Sequence, residues 1–165
     1  MTLLYSAELY ELVHSGNEGD LEFYTRECAD AQHVLEIGCG TGRIGSAILA
    51  EGPEVWGLDI HPESLNSAKK KGLTAIFGDM RDFSIDQRFD RIIIPNNTIY
   101  CLSSDQEVIR CLRAAKRHLA PSGKIIFDGY LAPIRASKLS KITVKDRQDS
   151  WIKSCLLYTS DAADE

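Results

Sequence analysis

In LEIGCGTGR, residues 35–43, an acid, Glu36, precedes three alternating glycines, Gly38, Gly40 and Gly42. Glycine at alternate positions bares the backbone where a strand hands over to a helix, so a ligand can reach the N–H groups of the helix start. Three ligand classes use such a turn. A dinucleotide fingerprint runs G-x-G-x-x-G, and the position of its third glycine, which lets helix and strand pack closely, holds Arg43 here. A phosphate loop runs G-x-x-x-x-G-K-[ST], whereas Gly42 is followed by Arg43 and Ile44. The third class depends on acids further along. Asp59 ends the run EVWGLDI, about twenty residues past the glycine turn, where a carboxylate accepts from ribose hydroxyls. Asp79, in FGDM, ends a later run; its side chain can accept from an adenine amino group while the Met80 N–H donates to a ring nitrogen. Asp59 could instead cap a helix in DIHPES, and Asp79 could close a loop by pairing with Arg81. Together, the turn and the two acids describe a crevice for an adenosine-containing ligand.

Such a crevice needs strands that end side by side. Apolar spacing predicts helices over 6–14 and 19–29, joined by HSGNEGD with Asp20 as N-cap. The period then changes, and strands are expected over 33–38, 54–60, 74–79, 90–95 and 124–129. Helices are expected over 43–52, closed by Gly52, over 62–72 with Pro62 in its first turn, and over 104–123, where Ser104 and Glu107 form a capping box. Strands alternating with helices at these intervals imply βαβ units, hence an α/β fold with a parallel sheet covered on both faces.

Length and composition are those of one domain: 165 residues, 44% apolar and 26% charged, with a formal charge of −5. No basic block with interleaved aromatics suggests nucleic acid as a partner, and Lys69–Lys71 reads as a solvated helix end. No stretch is long and apolar enough to suggest a membrane span or a signal peptide, so a cytoplasmic chain is expected. The five cysteines are scattered without a CxxC pair, and no two of the four histidines have metal-ligand spacing. His14, His33, His61 and His118 are expected in surface or capping roles.

VLEIGCGTGR, VWGLDIHPESL, FGDMRDF and FDRIIIPNNTIYCL, in that order, resemble the first four motifs of the class I S-adenosylmethionine-dependent methyltransferases. HLAPSGKIIFDGY is similar to their turn into a fifth strand, and the resemblance spans about residues 5–130. It implies a three-layer α/β/α, Rossmann-like doubly wound sheet. The family sheet has seven strands, of which five are recognisable here. It also implies S-adenosylmethionine as cofactor. Glu36 would take the amino group of its methionine moiety, above the run Gly38, Cys39, Gly40, Thr41, Gly42 and Arg43. Asp59 and Ile60 would serve the ribose, and Asp79, Met80 and Arg81 the adenine, while Asn96 would line the path to the acceptor. The methionine carboxylate needs a donor, for which Arg43, Tyr10 and Tyr24 stand open, and Tyr10, Asn97, Tyr100 and Cys101 are candidates on the acceptor side. Methyl transfer is an in-line displacement in which the protein aligns nucleophile and methyl within roughly 3–3.5 Å, so no catalytic residue is obligatory and none is assigned.

YELVHSGNEGDLEFY and GDMRDF are similar to bacterial amino-sugar N-methyltransferases, in which a His tends to stand where this chain has Cys101. PNNTIY departs from the [DN]-P-P-[YFW] loop of enzymes that methylate nucleobases or protein amides, which favours a small-molecule acceptor. The alternative is an NAD(P)-type oxidoreductase or a non-catalytic nucleotide-binding module using the same crevice. Organisation follows: a helical cap over 1–31, the cofactor-binding core over 32–130, and the start of an acceptor-side segment over 131–154. CLLYTSDAADE, residues 155–165, resembles the translation of a sequencing-library adapter, and without Asp161, Asp164 and Glu165 the charge falls to about −2. On that reading the chain is a fragment, with its fifth strand at an open edge and its acceptor wall incomplete, so weak cofactor binding and no turnover are expected.

Overall fold

The computed structural model describes residues 16–129. The helix expected over 6–14, with Tyr10 and His14, and everything from residue 130 onward lie outside the described residues. The elements run α1 (Asp20–Cys28), β1 (His33–Ile37), α2 (Arg43–Ala50), β2 (Glu54–Asp59), α3 (Pro62–Lys70), β3 (Thr74–Phe77), β4 (Phe89–Ile94), a 3-10 turn (Thr98–Cys101), α4 (Asp105–Arg117) and β5 (Leu119–Phe127). All strand pairs are parallel and the order is β3-β2-β1-β4-β5. The chain winds outward from β1 in both directions, which leaves a crevice at the carboxyl ends of β1 and β4. Among the described residues no helix is long and apolar enough to cross a membrane.

Strand alternation sorts the core into two apolar clusters, one on each face of the sheet. Val34, Val55, Ile93 and Ile126 pack against Tyr24 and Cys28 of α1, Ile44 and Ile48 of α2, and Leu65 and Ala68 of α3. Leu35, Ile37, Leu58, Ile92 and Ile94 face the other way, against Cys111, Ala114 and Ala115 of α4 and against Phe83. Burial on both faces explains why IIIP reads as a continuous apolar run with no polar alternation.

Three local expectations need correction. The helix expected over 104–123 ends at Arg117, because Leu119 already pairs with Phe89 and β5 runs through APSG to Lys124 with a register shift opposite Phe89 and Arg91. Sheet pairing overrides the apolar spacing of HLAP there. Asp20 is not the cap of α1: left-handed Gly19 holds that position, and Asp20 is buried one residue inside. Finally, His118 is buried rather than on the surface, and it stands at the C-cap position of α4. Its ring stacks on Phe83 at 4.6 Å between centroids, Nε2 accepts from the Ile85 N–H at 3.0 Å, and Nδ1 faces the Ala114 carbonyl at 2.8 Å. An accepting Nε2 places the single proton of the neutral ring on Nδ1, which donates to Ala114. The capping box is half formed, since Ser104 Oγ accepts from the Glu107 N–H while the Glu107 carboxylate turns to Ser103.

His118 therefore holds the 82–88 segment onto α4. Replacing it by Leu leaves the Ile85 N–H and the Ala114 carbonyl without their partner, which costs about 1–3 kcal/mol. Urea denaturation of His118→Leu is expected to show that loss, and an unchanged midpoint would mean that packing on Phe83 alone fixes the segment.

Candidate active site

Glu36, at the end of β1, points to the α2 face of the sheet and is 2% exposed. Its Oε2 accepts from the Gly45 N–H in the first turn of α2 at 2.9 Å. Burial is the main cause that pushes its carboxyl up to about 8, against the Gly45 hydrogen bond and the Arg43 charge, which pull it down. A carboxylate has room for about four hydrogen bonds, and among the described residues the Gly45 N–H takes one of them.

The glycine turn hangs from β2. The N–H groups of Gly38 and Cys39 both donate to the Leu58 carbonyl, and the Gly40 N–H donates to Asp59 Oδ2 at 2.7 Å. The other Asp59 oxygen accepts from the His61 N–H at 2.9 Å; His61 holds the N-cap position of α3, so Asp59 forms a turn ahead of that helix and does not cap it. Gly38, Gly40 and Gly42 are all left-handed, with φ of 71°, 53° and 80°. At Gly38 an added Cβ would meet the Thr98 methyl at 2.3 Å, whereas at Gly40 it would meet nothing within 4 Å. The first glycine makes room for a neighbouring loop. The second leaves an open cradle that a side chain would fill. Cys39 and Thr41 are buried beneath the turn.

Arg43 opens α2 and forks onto the Asp20 carboxylate, with Nη1 to Oδ1 at 3.0 Å. Burial raises the Asp20 carboxyl, but the Arg43 fork and the Asn17 N–H outweigh it and hold it below the usual range. Tyr24, 1% exposed, donates its hydroxyl to Asp128 Oδ2 at 3.0 Å. Both described donors proposed for a carboxylate thus have acidic partners within the protein.

β3 delivers Asp79 and Met80 beside the end of β2, where the Gly78 N–H donates to the Asp59 carbonyl. The Arg81 guanidinium and N–H take both Asp79 oxygens, and its far end reaches Glu107 on α4. That fork holds the Asp79 carboxyl below its usual range. The loop-closing alternative for Asp79 is what the side chains form, and an adenine amino group would have to compete with Arg81. Met80 is half buried against the α4-side cluster, and Ile60 stands exposed beyond Asp59.

On the other side, Asn96 and Asn97 are left-handed at φ 58° and 57°, and both donate their N–H to Asp128. Tyr100 is 57% exposed, and Cys101 is an exposed thiol. Sequence reasoning missed Asp128 and Thr98, which join this loop to β5 and to the glycine turn. Asp128 carried a signal, because it is an acid at a strand end like Asp59 and Asp79.

Residues 34–123 match a family model described as a methyltransferase domain. The chain belongs to that methyltransferase family. It is 31% identical over 140 residues to a dTDP-3-amino-3,6-dideoxy-alpha-D-glucopyranose N,N-dimethyltransferase of Streptomyces fradiae, covering 77% of this chain and 54% of the relative. It is 36% identical over 103 residues to a cypemycin N-terminal methyltransferase of a Streptomyces species, covering 60% and 42%. Among solved structures, SAM-bound CalS10, an amino pentose methyltransferase from Micromonospora echinaspora, superposes with a TM-score of 0.68 at 26% identity, covering 81% of this chain and 60% of that one. The chain spans about half the length of the curated relatives it matches.

Glu36 generates a test. Its carboxyl rises from the usual 4.5 to about 8 on folding, so folding takes up a proton. The stability this supplies is complete below the unfolded value and is lost as pH climbs through the folded one. Glu36→Gln keeps an acceptor for Gly45 and removes the titration. The stability of the variant is expected to gain on wild type as pH rises from about 5 to about 8, by a few kcal/mol. Parallel profiles would mean that Glu36 is charged throughout.

Proposed function

We propose that this chain carries the cofactor site of an enzyme that transfers a methyl group from S-adenosylmethionine to a small-molecule acceptor, with an amine as the acceptor class. The observation that carries the reading is the open left-handed cradle at Gly40, held by Asp59 and flanked by Glu36 and Asp79. When bound, S-adenosylmethionine supplies an electrophilic methyl on a sulfonium. Glu36 offers a buried acceptor for the ammonium of the methionine moiety, and at the second strand end Asp59 has lone pairs left for ribose hydroxyls. Asp79 and the Met80 N–H stand where adenine would be read, once Asp79 exchanges part of its Arg81 fork for the ligand. Solvent screens a pair this exposed, so the exchange costs little. The Asn96 loop and exposed Tyr100 face the acceptor side, and Cys101 supplies no imidazole base there. The amine class rests on the relatives, whose names specify N-methylation.

Glu36 also counts against a dinucleotide. It takes the Gly45 N–H, one of the helix-start donors a pyrophosphate would need, and places an acid beneath the α2 terminus.

Calorimetric titration with S-adenosylhomocysteine and, separately, NADH tests the assignment on wild type and Gly40→Ala. The added methyl meets no atom, so the variant loses only about 1–2 kcal/mol of stability to its left-handed backbone. Affinity for S-adenosylhomocysteine is expected to fall at least about tenfold, with no NADH binding to either protein. NADH binding with no response to the homocysteine compound would establish the oxidoreductase alternative instead.

A further inference from the structure

Asp128 lies one residue beyond β5 and gathers three donors from two separate parts of the chain, α1 and the loop after β4. Oδ2 accepts from the Tyr24 hydroxyl at 3.0 Å and the Asn96 N–H at 2.8 Å, and Oδ1 accepts from the Asn97 N–H at 2.5 Å. Asn96 and Asn97 are the only non-glycine residues with positive φ among the described residues. The left-handed region is disfavoured for any residue with a Cβ, though least for Asn and Asp, and two such residues in succession persist where the surroundings hold them. The carboxylate supplies that constraint, since its two oxygens take successive backbone N–H groups and charge-assisted bonds of this kind are the strong ones. The loop so fixed leads into Thr98, whose methyl occupies the space a Gly38 side chain would need. The hydroxyl of Thr98 donates back to the Pro95 carbonyl at 2.6 Å, which closes the turn.

We propose that Asp128 is a positioning residue that sets where the Asn96–Thr98 loop stands against the glycine turn, and through it the alignment of acceptor and cofactor. The alignment role rests on the methyl-transfer reading; the loop geometry does not. Tyr24 tethers the same carboxylate to α1, so the helix, the β5 end and the β4 loop meet at one group.

Amide resonances of Asn96, Asn97 and Gly38 in wild type, Asp128→Asn and Tyr24→Phe decide the matter, together with titration by S-adenosylhomocysteine. In wild type the Asn96 and Asn97 amide protons are expected downfield, as donors to a carboxylate. Asp128→Asn turns an NH2 toward one of them, so at least one moves upfield, Gly38 shifts with it through Thr98, and affinity falls by about tenfold. Tyr24→Phe removes one donor and leaves the carboxylate, so both amides stay downfield. Unmoved amides in Asp128→Asn, or equal shifts in Tyr24→Phe, overturn the proposal. So does a wild type whose two amides are not downfield, a readout available even should the Asn variant fail to fold. Failure of wild type to bind S-adenosylhomocysteine would instead defeat the cofactor assignment, with the amide shifts still deciding whether Asp128 holds the loop.

Discussion

The left-handed turn from Gly38 to Gly42 depends on hydrogen bonds from outside itself, and the ligand end of the molecule is organised around supplying them. Leu58 and Asp59 at the end of β2 take three of its N–H groups. Thr98, beyond β4, fills the space that Gly38 leaves. Neither neighbour could act unless β1 stood between β2 and β4 in a parallel sheet with all three ending at one level. Sheet order is therefore upstream of the site: the same residues in another topology would make three unrelated turns.

The acids around this turn differ in how firmly they are engaged, and exposure ranks them. Asp79 and Arg81 are each about two-fifths exposed as side chains, where solvent weakens a pair and exchange with a ligand costs little. Asp20 is 8% exposed beneath Arg43, and removing the guanidinium would leave a buried charge without its partner. Arg43 is thus better suited to fix α1 against α2 than to swing toward a ligand, which sets it apart from Arg81. Glu36 is a third case. It is buried, accepts the Gly45 N–H, and burial pushes its carboxyl up to about 8, which favours the protonated form at neutrality. An ammonium arriving there would favour the ionised form, so its binding would be linked to proton release.

The order of strands and helices was legible because burial on both faces leaves long apolar runs, and because glycines and Pro62 mark the helix ends. Glu36, the glycines and Asp59 were legible for a related reason, as chain-local motifs at strand ends. What escaped was decided by pairing across the chain. HLAPSG carries helical spacing, but β4 recruits Leu119 into the sheet. Asp20 has the composition of a cap, yet its carboxylate is drawn to Arg43, twenty-three positions on. His118 looked like a surface residue until the 82–88 segment folded over it. Asp128 escaped because KIIFDG read as strand to its end, which hid an acid in the same strand-end position as Asp59 and Asp79.

Under the methyl-transfer reading proposed above, cofactor and acceptor would meet different sides of this fold. On that reading ribose and adenine would lie at the ends of β2 and β3, which are bonded to each other through backbone groups, with the glycine turn hung from β2 by the Leu58 carbonyl and the Asp59 carboxylate. The loop after β4, which would face the acceptor, has two successive N–H groups held by one carboxylate, that of Asp128. A surface fixed by backbone bonds changes little when its side chains change, whereas one fixed by a single carboxylate can be re-aimed by moving that carboxylate or its partners. Such a division would let one cofactor crevice serve many acceptors, because changes at loop residues such as Asn97, Tyr100 and Cys101 would leave the strand ends undisturbed.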